Sequence, residues 1–188
     1  LADGLMRLAK ERSVQVVHGR ATFEDSETLR ISGADLAHVK FDNAIIATGS
    51  QAIALPGTEF RPGGRIMSST GALELADVPE RLLVVGGGYV GLELGSVYAA
   101  LGSRVTVVEM LDRIIAQADE DLARPLERRI NDAFEAVHTG TKVAGTTEED
   151  DYVEVTFEGE VEETTERFDR VLVAIGRRPT SGDLGLEN

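Results

Sequence analysis

The chain has 188 residues, of which 42% are hydrophobic and 28% charged, a composition typical of a folded, soluble protein rather than a disordered one. Its 33 acidic and 19 basic residues give a net charge of -14, which repels nucleic-acid phosphates and argues against a nucleic-acid partner. With no cysteine and no apolar run near the ~18 residues of a membrane span, the sequence predicts a cytoplasmic protein without disulfides or redox thiols.

The first fifty residues predict a helix followed by short strands. "LMRLAKERS" places its apolar residues on one helical face, and "VQVVHG", at 14–19, predicts a strand. Turn residues divide 21–40 into short segments that suit an antiparallel meander. "NAIIA", at 43–47, is apolar without alternation, which predicts a buried strand that Gly49 ends.

The middle of the chain predicts a β-α-β unit. Residues 51–80 form a connecting region with turns at "LPG" and "RPGG" and a helix in "SSTGALELADV". In "RLLVVGGGYVGLELGSVYAALGSRVTVVEM" an apolar run at 82–85 is followed by a glycine cluster, a helix ending at Gly102 and a second strand at 105–108.

The last third predicts a helix and more strands. "DEDLARPLERRINDAF" spaces Leu122, Leu126 and Ile130 by four as one helical face, although Pro125 should kink that helix or begin its first turn. "DYVEVTFEG" and "VEETTERF" alternate well enough for an antiparallel hairpin or meander.

Two segments far apart in the chain repeat one pattern: "FDNAIIATGS" at 41–50 and "FDRVLVAIGR" at 168–177. Each brings a glycine to the carboxyl end of a predicted strand, where ligands of open parallel sheets bind. The repeat predicts two nucleotide-binding sheets, the first cut off at its beginning. The predicted fold is α/β, a Rossmann-like parallel sheet with helices plus an antiparallel β-meander.

The glycine cluster places Gly86, Gly88 and Gly91 in the G-x-G-x-x-G pattern. The first glycine permits a tight turn, the second lets backbone approach a pyrophosphate, and the third lets helix and strand pack closely. Because the pattern lies between a predicted strand and a predicted helix, it predicts a dinucleotide site at the positive end of that helix.

Glu109 ends the second strand of this unit, 23 residues after Gly86. A carboxylate there accepts hydrogen bonds from ribose hydroxyls and repels a 2'-phosphate, which favours NAD over NADP. The simpler alternative is a surface acid that closes a strand. Arg113 is expected to be an exposed loop residue.

"STGALELADVPERLLVVGGGYVGLELGSVYAALGSRVTVVEMLDRI", "IIATGS" and "VLVAIGRRPT" together resemble the flavoprotein pyridine nucleotide-disulfide oxidoreductases, which have two dinucleotide-binding domains. Within that family the resemblance is greatest to the dihydrolipoamide dehydrogenase branch. It implies that residues 1–50 are the tail of an FAD-binding domain and residues 51–188 an NAD-binding domain.

The resemblance also implies site residues. The NAD contacts would come from the glycine loop and three positions beyond it: Gly86, Gly87, Gly88, Tyr89, Val90, Gly91, Glu109, Val143 and Gly176. The contacts near FAD in the longer protein would be Ala21, Thr48, Gly49 and Ser50, with Glu93 paired to a lysine beside the flavin. The alternative explanations are core packing for Ala21 and Val143, an exposed surface position for Tyr89 and a plain turn for Gly176.

The implied activity is NAD-linked, FAD-dependent oxidation of dihydrolipoyl groups through a Cys-x4-Cys disulfide, with a His-Glu pair as acid and base. This chain has no cysteine, and its histidines, His18, His38 and His138, have no neighbours that suggest catalysis. We therefore expect no catalytic or metal-binding residues here, weak NAD(H) binding, little retained FAD and no activity of the chain alone. The implied partners of the longer protein are a second copy of itself and the lipoyl domains of 2-oxo acid dehydrogenase complexes.

Two alternatives stay open. The longer protein could be a related FAD-dependent disulfide or mercuric reductase, because substrate contacts would lie outside this chain. The chain could also be a stand-alone NAD-binding sensor module. The helix at its very start and the unmatched "ATGS" strand argue against that alternative.

Overall fold

A computed structural model of the protein describes residues 2–159, 161 and 164–187. The chain divides into two compact units, Leu1–Ser50 with Pro179–Asn188 and, separately, Gln51–Arg178. Residues 179–188 thus group with the first unit, while the assignment of the units to FAD and NAD binding stays a prediction. None of the described helices is both long enough and apolar enough to cross a membrane.

The first unit contains one helix and a three-stranded antiparallel sheet. Its elements are α1 (Ala2–Glu11), β1 (Arg20–Phe23), β2 (Thr28–Ser32) and β3 (His38–Lys40). β2 lies between β1 and β3 and pairs antiparallel with both, so that Ala21 lies opposite Ile31. The predicted meander over 21–40 is confirmed.

Two predicted strands of this unit are wrong. Residues 14–19 and 43–47 have no strand structure, and Ile45 is 94% exposed where the sequence predicts a buried side chain. A strand needs a neighbour to take up its backbone hydrogen bonds, and within the described residues no strand pairs with either run. An apolar run alone therefore does not decide whether a strand forms.

The second unit is built on a parallel sheet. The remaining elements of the chain, in order, are β4 (Ser50–Ala52), β5 (Ile66–Met67), α2 (Ser69–Leu73), β6 (Arg81–Val85), α3 (Tyr89–Leu101), β7 (Arg104–Val108), α4 (Glu120–Ala133), β8 (Ala136–His138), β9 (Thr141–Glu148), β10 (Val153–Gly159), β11 (Thr165–Phe168), β12 (Arg170–Val173) and β13 (Arg177–Pro179). Five of these strands form the parallel sheet in the order β5-β12-β6-β7-β8. The predicted α/β class is confirmed.

Different layers cover the two faces of this sheet. On one face Leu82 packs in a core with Tyr98 of α3 and Ile130 of α4. On the other face Leu83 packs in a second core with Phe157 of β10. Because β6 and β12 are buried on both faces, each is a continuous apolar run after its first residue rather than an alternating pattern, and in β7 only the buried Thr106 interrupts such a run.

The second covering layer is an antiparallel sheet with the order β11-β10-β9. The predicted hairpin corresponds to β10 and β11, which pair antiparallel. Residues 162 and 163 of the predicted second strand lie outside the described residues. The sequence does not predict β9, because "TKVAGTTE" contains a glycine and few apolar residues.

The two long helices follow their sequence signals unequally. α3 ends at Gly102, whose φ of 111° is left-handed, as the predicted C-cap requires. Pro125 lies inside α4. The predicted face of α4 is partly wrong, because Leu122 is 70% exposed while Ala123 and Ile130 are buried.

Asp77 and Arg170 form a bidentate ion pair between the segment after α2 and β12. Arg170 donates from Nε to Asp77 Oδ1 at 2.6 Å and from Nη2 to Oδ2 at 2.7 Å. These hydrogen bonds lower the pKa of Asp77 from its ordinary value of 3.8. A carboxyl group whose pKa is lower in the folded state stabilises the fold when the pH is above its ordinary pKa. This contribution is lost as the pH falls through the folded-state pKa.

We expect Asp77→Asn to lower the free energy of unfolding by about 1 kcal/mol near neutral pH, because the nearly buried Arg170 guanidinium loses its charged acceptor. The effect is no larger because solvent screens the half-exposed carboxyl group of Asp77. Urea denaturation at about pH 7 and about pH 2 measures this, and the difference from wild type should shrink in acid. Asp132→Asn, on the exposed side of α4, is the matched control. A difference that does not change with pH would contradict the role of the charge.

Candidate functional site

The carboxyl ends of β6 and β12 lie side by side where the strand order reverses. β6 continues through α3 to β7 on one side, whereas β12 pairs with β6 on the other, with Val173 beside Val85. Chain segments that leave neighbouring parallel strands in opposite directions open a crevice, and ligands of open α/β sheets bind there. Gly86 follows β6 and Gly176 follows β12, so both glycines lie at this crevice.

The three motif glycines meet different constraints. Gly86 has a φ of 107°, and a Cβ there would lie 2.5 Å from the carbonyl oxygen of Ala174. A Cβ on Gly91 would overlap the carbonyl oxygen of Gly86. A Cβ on Gly88 would meet no atom within 4 Å. Gly86 and Gly91 therefore shape the turn, while Gly88 leaves bare backbone beside open space.

The first turn of α3 lies at the wall of the crevice. Gly88 is its N-cap and has no side chain that could accept hydrogen bonds from the first N–H groups of the helix. Gly88, Tyr89 and Val90 all line the cavity, and Tyr89 is 68% exposed. Unpaired N–H groups and the positive end of a helix dipole favour an anion such as a diphosphate.

Glu109 also lines the cavity, and two backbone N–H groups hold its carboxylate beside the glycine loop. Its Oε2 accepts from the N–H of Gly87 at 2.7 Å, and its Oε1 accepts from the N–H of Leu111 at 2.8 Å. Each carboxylate oxygen has a second lone pair, so Glu109 can still accept from a ligand hydroxyl. The expectation for Arg113 is wrong: its guanidinium is partly buried and donates to the carbonyl oxygen of Ala116 at 2.7 Å.

The cavity has a volume of about 760 Å3, within the usual range for small-molecule sites. Val143 on β9 and Gly176 after β12 line it, as do Gly86 and Glu109. Three other sequence candidates do not form its wall. Gly87 and Gly91 are buried, and Glu93 is exposed on α3.

The sequence does not predict two cationic side chains that also line this cavity. Lys142 pairs with Glu158 at 3.1 Å, and Arg177 donates to the hydroxyl of Ser69 at 3.4 Å. Each is next to a predicted contact residue in the sequence, which is the signal that could have indicated it. Their charges suit an anionic ligand.

Four of the flavin candidates lie on the first unit. The carbonyl oxygens of Thr48 and Gly49 accept hydrogen bonds from Thr180, both at 2.9 Å, and Ser50 is exposed. Ala21 is half-buried on β1. A cavity of about 290 Å3 in this unit is lined by other residues, such as Phe23 and Phe41. None of the four flavin candidates of this unit is among the residues that line this cavity.

A family model described as pyridine nucleotide-disulphide oxidoreductase matches residues 1–188, the whole chain. The chain belongs to this family. This pyridine nucleotide-disulphide oxidoreductase chain is similar to the dihydrolipoyl dehydrogenases of Haemophilus influenzae, at 46% identity, and Haloferax volcanii, at 43%. Both matches cover 100% of the chain and 40% of the relative, so the chain spans about two fifths of the length of these relatives.

Two solved structures share the fold of this chain. The HOCl-induced flavoprotein disulfide reductase RclA of Escherichia coli superposes with a TM-score of 0.83 at 27% identity, over 99% of this chain and 41% of RclA. LpdA of Mycobacterium tuberculosis superposes with a TM-score of 0.82 at 28% identity, over 99% of this chain and 42% of LpdA. The family resemblance read from the sequence is confirmed.

Gly88→Ala and Gly91→Ala test whether Gly91 is required for packing while Gly88 is not. Gly91→Ala should lower the free energy of unfolding by about 1–3 kcal/mol, because the methyl group forces α3 away from β6. Gly88→Ala should leave it within about 1 kcal/mol, because its φ of -78° and its surroundings accept a Cβ. Urea denaturation of the two variants measures this, and equal losses would contradict the assignment.

Proposed function

We propose that the chain is the NAD-binding part of a dihydrolipoyl dehydrogenase, which oxidises dihydrolipoyl groups through a redox disulfide and FAD and reduces NAD. One observation supports NAD binding: Gly88, which has no side chain and lies at a helix N-terminus, lines the same cavity as Glu109. The 46% identity to the Haemophilus influenzae enzyme over the whole chain supports the enzyme part.

NAD fits the residues that line the cavity. Its diphosphate would take the N–H groups at the start of α3, beside Gly88, where a Cβ would meet nothing and a phosphate therefore has room. Its adenosine ribose would donate to Glu109, with Val143 beside the adenine. Gly176 and Tyr89 would lie beside the nicotinamide.

Glu109 favours NAD over NADP. The 2'-phosphate of NADP would bring a second negative charge beside this carboxylate, whereas the 2'-hydroxyl of NAD donates a hydrogen bond to it. The N–H groups of Gly87 and Leu111 hold the carboxylate in place before any ligand binds. The selectivity therefore does not depend on reordering of a mobile side chain.

The chain's own residues bind and orient the nucleotide but supply no thiol. In the longer protein FAD would carry electrons from the dithiol to NAD, and NAD would accept the hydride. Because the chain contains no cysteine, the thiol step requires residues outside it. Ala21, Thr48, Gly49, Ser50 and Glu93 would contribute to the flavin environment only together with such residues.

The partners follow from the same proposal. The longer protein would act as a homodimer in the cytoplasm on the lipoyl domains of 2-oxo acid dehydrogenase complexes. The likeness to RclA keeps a disulfide reductase with another substrate as the second candidate. Its lower identity, 27% against 46% for the Haemophilus influenzae enzyme, favours the lipoyl substrate.

Calorimetric titration with NADH and NADPH tests the nucleotide assignment. We expect NADH to bind at least about tenfold more tightly than NADPH, because of charge repulsion at Glu109. Glu109→Gln should raise the Kd for NADH by about tenfold, since an amide has only one oxygen to accept from two backbone N–H groups and a ribose. Glu149→Gln, an exposed acid in the turn after β9, is the control. Tighter binding of NADPH than of NADH by the wild-type chain would refute the assignment.

A further inference from the structure

The segment that follows β7 holds two successive peptide groups of the glycine loop. The N–H of Gly87 donates to Glu109 Oε2 at 2.7 Å, and the carbonyl oxygen of Gly87 accepts from the N–H of Ile115 at 2.9 Å. This N–H belongs to the peptide group before Gly87, and this carbonyl to the peptide group between Gly87 and Gly88. Residues 109–115, here called the clamp segment, therefore fix the loop on both sides of Gly87.

The bond from Ile115 sets the direction of a second group. A peptide unit is planar and trans, so fixing its carbonyl oxygen also directs its N–H to the opposite side. In the unit between Gly87 and Gly88 that N–H belongs to Gly88, and Gly88 lines the cavity. The direction of an N–H at the cavity wall is thus set by a residue that does not line the cavity.

Ile115 adopts an unfavourable conformation to make this bond. Its φ of 48° lies in the left-handed region, which β-branched residues avoid. Such strain persists only where the surrounding structure imposes it, and it is concentrated at functional sites. Here the side chain packs against the core, and the carbonyl oxygen of Ile115 accepts from the N–H of Ala118 at 2.9 Å.

The side chain of Ile114 also packs against the glycine loop, at Gly87. It is 3% exposed, and a Cβ on Gly87 would lie 2.7 Å from its Cγ2. Gly87 is not among the glycines with left-handed φ, so its backbone conformation alone would accept alanine. The dinucleotide motif leaves this position open to any residue. In this chain the packing of Ile114 requires glycine there.

We propose that Ile114 and Ile115 are positioning residues for the diphosphate: they fix the peptide group between Gly87 and Gly88 so that the Gly88 N–H is directed at the phosphate before the ligand binds. The inference rests on the proposed function, since it places a diphosphate at the start of α3. A donor that is already directed loses little freedom on binding and so contributes more affinity than a mobile one.

Amide hydrogen exchange of the wild-type chain without ligand tests the clamp itself. The N–H groups of Gly87 and Ile115 should exchange at least about tenfold more slowly than the N–H of Asp112, which makes no hydrogen bond to the part of the chain that the structure describes. Exchange of the Ile115 N–H as fast as that of Asp112 would overturn the proposal. This measurement requires no substitution and so does not depend on whether a variant folds.

Binding of ADP and adenosine to Gly87→Ala tests the role in phosphate binding. A Cβ at this position would lie 2.7 Å from Ile114 Cγ2 but 3.2 Å from Glu109 Cβ, so it should displace Ile114 from the loop more than Glu109. The Kd for ADP should therefore rise at least about tenfold, and that for adenosine, which has no phosphate, by a clearly smaller factor. Adding Ile114→Ala, which removes the obstructing Cγ2, should restore most of the ADP affinity. Gly145→Ala is the matched control, because a Cβ there would meet nothing within 4 Å.

The outcomes separate this proposal from the proposed function. ADP affinity of Gly87→Ala equal to that of Gly145→Ala, or equal losses for ADP and adenosine, would overturn the positioning role. Failure of Ile114→Ala to recover affinity in a double variant that folds, judged by circular dichroism, would do the same. Absence of any NADH or ADP binding by the wild-type chain would instead overturn the proposed function, while slow exchange at Gly87 and Ile115 would still show that the clamp exists.

Discussion

The close approach of α3 to β6 and β12 is the contact on which the site depends. A Cβ on Gly91 would overlap the carbonyl oxygen of Gly86, and a Cβ on Gly86 would overlap the carbonyl oxygen of Ala174. Only glycine therefore allows this close approach. A helix packed at this distance begins at the edge of the crevice between the two strands, so that its first N–H groups reach the cavity wall. The sheet order, which places β12 beside β6, provides the other wall.

In the proposed complex the chain would contact an anionic ligand mainly with backbone, although its net charge is -14. Peptide N–H groups and a helix dipole attract phosphate locally without adding cationic side chains, and they are rigid where such side chains are flexible. The clamp segment, which begins at Glu109, supplies that rigidity through its hydrogen bonds to the N–H and the carbonyl oxygen of Gly87. Lys142 and Arg177 add positive charge at the same cavity, but each also has an interaction with a neighbouring side chain.

The errors in the sequence-based predictions share one physical cause. Residues 14–19 and 43–47 have the apolar composition of strands, yet no described strand pairs with them. β9 has a poor strand pattern, yet it forms because β10 pairs along its length. Strand formation depends on a partner that is distant in the chain, and local composition does not report that partner. Leu122 shows the same limit for a helix, since four-residue spacing does not fix which side of the helix meets the core.

The sequence by itself determined the β-α-β unit, the glycine turn, the C-cap at Gly102 and the acid at the end of β7, because each depends on neighbours within a few residues or on one short repeat. It also carried the family, since those motifs occur together. Only the tertiary structure decided that Gly87 must be glycine, that the Glu109 carboxylate is held by two backbone N–H groups, and that Ile115 is strained. These properties arise where the segment after β7 folds back onto the loop after β6, and a contact between two separate turns leaves no periodic signal in either one.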